Sequence, residues 1–219
     1  MVELLKTHLQ KKAVDKIIAL LHANPEVLGL EDDHGSSGLT LIAYSGLQKA
    51  FVEAIDLKKS FSFHEAIVCG KLEIVKDYLN TPDFDLVNTH SNDGFTPLSL
   101  AAFFNRTEIA KALITMGADP NLPAKNPSKV NALHAAIAKE NYELCKLFIE
   151  NEANVNAVQM KNVTPLHAAV HRGNLALVKL LVENKALITP QMDNGDTALL
   201  IAEREKHNDI RTYLLGQQH

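Results

Sequence analysis

Apolar residues return at helical spacing in short blocks along the chain, and polar or glycine-containing turns separate the blocks. In Glu73-Ile74-Val75-Lys76-Asp77-Tyr78-Leu79 and in Leu175-Ala176-Leu177-Val178-Lys179-Leu180-Leu181 the apolar positions lie three and four apart, which predicts helices. The blocks stop at Phe84-Asp85-Leu86-Val87-Asn88, at Gly117-Ala118-Asp119-Pro120-Asn121 and at Ala153-Asn154-Val155-Asn156. No block approaches the roughly 18 uninterrupted apolar residues of a membrane span, so none is expected.

The blocks repeat. Phe95-Thr96-Pro97-Leu98-Ser99-Leu100-Ala101-Ala102, Asn131-Ala132-Leu133-His134-Ala135-Ala136, Thr164-Pro165-Leu166-His167-Ala168-Ala169 and Thr197-Ala198-Leu199-Leu200-Ile201-Ala202 align on the residues at 99, 134, 167 and 200, which are 35, 33 and 33 apart. A step of 35 back from Ser99 reaches His64, in Phe63-His64-Glu65-Ala66-Ile67. In Thr96-Pro97 and Thr164-Pro165 the Thr is placed to cap a first helix, and Pro takes the position where a missing N–H costs nothing. Gly173 and Asn174 break the chain between two antiparallel helices, and Gly117 ends a second helix in a left-handed turn.

A period near 33 carrying Thr-Pro-Leu-His and Gly-Ala-Asp-x-Asn resembles the ankyrin repeat, over roughly residues 13–215. It is especially similar to compact bacterial ankyrin proteins with a degenerate front and a Phe-Phe middle repeat. The resemblance implies an all-α solenoid of helix–turn–helix units with β-hairpin fingers. About seven units are expected within one domain, 1–219, near 1–31, 32–60, 61–90, 91–124, 125–157, 158–190 and 191–219. The first has helices near 2–9 and 13–22. The second lacks about nine residues and has its second helix near 48–57. Residues 80–85 lengthen one turn by two and 122–129 one finger by two. Polar residues at both ends, such as Lys6 and Arg211, suit terminal repeats, so the chain reads as a complete capped array.

Composition narrows the function. Of 219 residues 46% are apolar and 22% charged, and Leu, Ala and Ile with only 5% aromatics favour helices. A net charge of −4 argues against a nucleic-acid binder. Cys69 and Cys145 suit a reducing cytoplasm, and no Cys/His spacing matches a zinc site. Phosphate-loop and nucleophile-elbow motifs are absent. No cofactor, metal or catalytic residue is assigned.

Within the resemblance His64, His134 and His167 share one slot and bond backbone between repeats. One repeat step of about 10 Å also separates them too far for a common metal. Cys145 aligns with Val75 and Val178 as a core thiol, whereas Cys69 falls near an exposed helix end. The resemblance also implies a concave face of finger tips and of the two residues ending each inner helix, among them Tyr44, Val68 and Cys69. The partner-binding candidates carried over are Phe95, Phe103, Phe104, Lys139, Lys161, Val163, His171, Arg172, Asp196 and Arg204. Central aromatics bordered by charge resemble an interface hot spot. The expected function is non-catalytic binding of a protein by a cytoplasmic monomer. A secreted bacterial effector, and a small-ligand binder or enzyme using Cys69 and His64, are the alternatives.

Overall fold

The computed structural model describes residues 1–81 and 86–217, so the turn lengthening expected at 80–85 falls mostly outside the described residues. Fourteen α-helices are present among these residues, in seven antiparallel pairs. The pairs are α1 (Val2–Gln10) with α2 (Val14–Ala23), α3 (Gly38–Ser45) with α4 (Gln48–Leu57), and α5 (Phe63–Cys69) with α6 (Leu72–Leu79). Then come α7 (Pro97–Phe103) with α8 (Thr107–Thr115), α9 (Ala132–Ala138) with α10 (Tyr142–Glu150), α11 (Pro165–His171) with α12 (Leu175–Glu183), and α13 (Ala198–Arg204) with α14 (Asn208–Leu215). No helix of the described residues is long and apolar enough to cross a membrane. Residues 1–81 with 91–94 form one compact unit, and 86–90 with 95–217 form another.

In the first unit Leu5, Ile17, Leu21, Leu39, Ile42 and Ile67 are fully buried between the helix pairs. Each such side chain contributes about 1.5–3 kcal/mol through its removal from water. The finger of residues 31–37 is a turn closed by a single bridge between Glu31 and Ser37. Asp32 Oδ1 accepts the amides of His34 and Ser36, each at 3.0 Å. The third helix pair has no finger of its own, because α4 passes to α5 through Lys58–Ser62 alone. The next finger, residues 91–94, therefore docks on the finger of the second pair. Asp93 Oδ2 accepts from Tyr44 Oη at 2.9 Å and from Ser36 Oγ at 3.2 Å, and Asn92 donates to Glu31 at 2.5 Å. Burial first, and then the Asp93 carboxylate, push the Tyr44 phenol upward. Gly35 makes this approach possible: its φ is +81°, and a Cβ there would sit 2.5 Å from the Asn92 carbonyl oxygen.

Helix α5 starts in a capping box, with Ser62 and Glu65 bonding each other's backbone amides. Glu65, 8% exposed, also accepts from Ser37 Oγ at 2.8 Å and pairs with Lys58 at 3.1 Å. The same third helical position holds Ser99, His134, His167 and Leu200 in later repeats. The slot expected for His64 therefore belongs to Glu65. Stepping back by 35 lands one residue short of it, since the repeat interval here is 99 − 65 = 34.

In the second unit the inner helices α7, α9, α11 and α13 are capped by Thr96, Asn131, Thr164 and Thr197. Pro97 and Pro165 take the first helical position. Ala101, Ala102, Ala136 and Ala169 are fully buried, so neighbouring inner helices approach closely. Outer helices bury Leu113, Phe148, Leu181 and Leu214 in the corresponding places. Cys145 lies at 0% exposure in the position that Val75 and Val178 fill, and burial pushes its thiol up to about 12.

The fingers are hairpin turns held by few bonds, among them Ala124 N–H to Val130 O at 2.9 Å, Gln159 N–H to Val163 O at 3.0 Å and Met192 N–H to Asp196 O at 2.9 Å. Successive fingers are tied by Met160 N–H to Ser128 O at 3.0 Å and by Asp193 N–H to Lys161 O at 3.1 Å. The turns on the far side are stapled by asparagines. Asn88, Asn121 and Asn156 donate to the carbonyls of Gly117, Glu152 and Lys185 and accept from the amides of Asp119, Asn154 and Leu187. Stability of such an array is close to a sum of repeat and neighbour terms, and these staples belong to the neighbour terms.

Candidate protein-binding face

The inner helices of the second unit each start directly after a finger. Their last residues and C-caps give two registers: Phe103, Ala138, His171 and Arg204 in one, Phe104, Lys139, Arg172 and Glu205 in the other. Each C-cap is followed by a left-handed residue, Asn105, Glu140, Gly173 or Lys206, which turns the chain into the outer helix. Asn141 and Asn174 then cap α10 and α12, and their side-chain amides reach Asn105 and Glu140 of the preceding repeat at 3.1 and 3.0 Å. Neither cap is visible in the period alone, although Asn followed by an apolar run is a helix-start signal.

Phe103 and Phe104 are both half-buried, and their rings meet edge to face at 5.2 Å. Lys139 Nζ lies 4.0 Å from the centre of the Phe103 ring. One repeat on, His171 and Arg172 are exposed, and His171 Nδ1 donates to Glu205 Oε1 at 2.7 Å. Arg204 donates to Asp196 Oδ2 at 2.6 Å, which holds the Asp196 carboxyl below the usual carboxylate range. Lys161 is exposed at the turn of its finger with φ 66°, and Val163 is half-buried at the finger's return. Phe95 is half-buried immediately before the Thr96 cap. Nine of the ten residues expected on this face thus lie on inner-helix ends or fingers of one unit, with Phe95 at the entry to α7.

The corresponding residues of α5 behave differently. Val68 is 1% exposed and Cys69 9%, so neither forms an open face, and Cys69 is not the exposed thiol expected of it. Helix α5 ends at Gly70 with both residues turned into packed surroundings. His64 is half-buried, with its ring edge-on to Phe63 at 5.4 Å. His64 and Cys69 lie five positions apart on α5, so their side chains leave the helix about 140° apart.

The two remaining slot histidines are structural. His167 Nδ1 accepts from the Thr164 amide at 3.1 Å, and Nε2–H donates to Pro190 O, one repeat on, at 3.1 Å. His134 directs Nδ1 to Asn131 Oδ1 at 2.8 Å and Nε2 to Val163 O at 3.2 Å. Burial lowers both rings, His134 to about 4. Among the described residues no group of three or more His, Cys, Asp or Glu is arranged to hold a metal ion.

A family model described as ankyrin repeats (3 copies) matches residues 63–159 and again 133–219, which together exceed half of the chain. The chain belongs to the ankyrin-repeat family, and ankyrin repeats are protein–protein interaction modules. It is similar to the probable 26S proteasome regulatory subunit p28 of Saccharomyces cerevisiae, 28% identical over 140 residues, 64% of this chain and 51% of the yeast protein. It is also similar to the human DNA-binding protein RFXANK, 39% identical over 66 residues, 30% of this chain and 25% of that protein. The human neurogenic locus notch homolog protein 4 is 41% identical over 58 residues, 26% of this chain and 3% of its own length. The matches thus span about half of the yeast relative and a quarter or less of these human ones.

Proposed function

We propose that the chain is a non-catalytic binding module that takes a protein partner on the face formed by the inner-helix ends and finger tips of residues 95–217. The observation that carries this reading is the aromatic pair Phe103 and Phe104 under Lys139, with the Nζ 4.0 Å from the Phe103 ring. Half-buried aromatics beside exposed cations are the composition of an interface centre with a polar rim. The scaffold beneath is rigid, because buried alanines, threonine caps and asparagine staples fix each repeat on the next. A partner therefore binds without the cost of ordering the face. Two buried cysteine thiols, Cys69 and Cys145, support a reducing, cytoplasmic setting, where the chain acts as a monomer.

The test is capture of partners from lysate by the full chain and by Phe103→Ala combined with Arg172→Glu. Loss of specific partners in the variant supports the reading, provided that circular dichroism shows an unchanged fold. Undiminished capture of every partner contradicts it. Light scattering at micromolar concentration checks the monomer.

A further inference from the structure

We propose that the turns leading into α2 and α4 form a second docking surface, which takes a short acidic segment of a partner protein. This surface lies within the first unit and does not rest on the face of residues 95–217. Lys11 ends α1 as its C-cap, and Lys12 follows in the left-handed region with φ 50°. Lys16 stands in the first turn of α2 and Lys49 in the first turn of α4. All four side chains are exposed. Helices α2 and α4 pack side by side, and Lys49 Nζ reaches Asp15 Oδ1 at 3.7 Å, so the two turns share one edge. Lys11, Lys12 and Lys16 form no ion pair among the described residues.

Residues 10–17 and 46–51 hold these four lysines against one carboxylate, Asp15, a net +3. Glu53, one turn further along α4 and paired with His22 at 2.8 Å, lowers the excess to +2 when it is counted at full charge. Glu3 lies eight residues before Lys11, about 12 Å along α1, and Lys6 bonds it at 2.9 Å. In the turn of the third helix pair Lys71 and Glu73 cancel. The helix ends carry the same sign as the lysines, since α2 and α4 begin here and Ala13 and Leu47 give their first amides no side-chain cap.

The rest of the unit has the opposite sign and selects the occupant. Outside this edge, residues 1–81 and 91–94 hold five Lys against eleven Asp or Glu, a net −6. A nucleic acid or a membrane extends past the edge and meets that negative field. A short acidic segment meets the lysines alone, because charges act over roughly 8 Å in physiological salt. One repeat step of about 10 Å is spanned by about three residues of extended chain. Phe51, the one aromatic residue of the two stretches, is buried, so nothing on the edge offers a base a stacking surface.

The experiment is fluorescence anisotropy of the full chain with short labelled probes in physiological salt. One peptide alternates glutamate with serine, a second has glutamine in place of glutamate, and the third probe is a single-stranded oligonucleotide of equal charge. Phosphatidylserine vesicles are tested by co-sedimentation. The acidic peptide is expected to bind about tenfold more tightly than the glutamine peptide and to weaken several-fold as salt rises further. Lys12→Glu with Lys16→Glu is expected to weaken it at least about tenfold, and the neutral Lys12→Gln with Lys16→Gln by an intermediate amount, with circular dichroism unchanged in both. Lys125→Glu with Lys146→Glu, at exposed sites of the second unit, changes the net charge of the chain equally and is expected to leave binding within about twofold. Equal binding of the two peptides overturns the proposal. Equal weakening by the Lys125 and Lys146 pair overturns this edge as the site. An oligonucleotide or a vesicle bound as tightly as the acidic peptide overturns a protein segment as the occupant.

Discussion

Asn121 Oδ1 accepts the backbone amide of Asn154 at 2.6 Å, across 33 residues of chain. The same side chain donates to the Glu152 carbonyl at 2.9 Å, so one amide brackets the next repeat's turn. Asn88 and Asn156 do the same at equivalent places, and the period of the sequence is thereby converted into a physical link between repeats. Replacing Asn121 by Ala removes two bonds at an exposed site, where water replaces part of their value. The expected loss is about 1–2 kcal/mol, measured by urea unfolding.

The turns bracketed by these staples contain a correctable strain. Gly117 has φ 88°, which suits glycine, but the equivalent residues Glu152 and Lys185 have φ 67° and 71°. Glu152→Gly and Lys185→Gly are each expected to raise stability, by up to about 1 kcal/mol after the extra unfolded-chain entropy of glycine. Gly117→Ala is expected to lower it by a similar amount, although nothing lies within 4 Å of an added Cβ. Thermal melts of the three variants check the two signs together.

The buried histidines make the fold acid-sensitive. An unfolded histidine takes up a proton near pH 6.5, whereas burial holds folded His134 neutral down to about 4. Between these values the unfolded chain binds more protons. Stability contributed by the neutral ring is therefore present above about pH 6.5, falls as pH drops through the window, and is gone below about 4. His167 is shifted in the same direction by burial. The expected loss from His134 is up to about 3 kcal/mol between pH 7 and 4, read from urea midpoints. Its ring resonances should show no titration near pH 6.5. A normal titration there contradicts the burial argument.

In the first unit the ion pair of Lys58 and Glu65 lies where water hardly reaches, with side-chain exposures of 13% and 10%. Lys58→Ala strands the Glu65 carboxylate beside Ser37 and Ser62 and is expected to cost about 3 kcal/mol. Adding Glu65→Gln, which removes the stranded charge, should restore part of that loss. A double-mutant cycle measures the coupling.

What the sequence made legible follows from local chemistry. Thr-Pro starts, apolar periods and Gly117 each act within one turn of chain, and the helix pairs fell close to where these signals put them. His64 was misassigned because α5 begins with Ser62 and Phe63 instead of Thr-Pro, leaving a step of one residue undecided until the capping box fixed it. The burial of Val68 and Cys69 was illegible for another reason, since exposure at a repeat position depends on what packs over it. The docking of residues 91–94 on the second finger joins Asp93 to Tyr44 across 49 residues with no periodic mark. The asparagine caps and staples were written in the sequence but obscured by reading those positions as turns.

The binding face is tested most directly by site-specific photo-crosslinking in cells. A benzoylphenylalanine placed at Arg172, on the inner-helix ends, is compared with one at Lys146, exposed on outer helix α10. The account predicts a discrete crosslinked protein from position 172 and none of that mass from position 146. The same crosslinked protein from 146 alone, with nothing captured at 172, would contradict it.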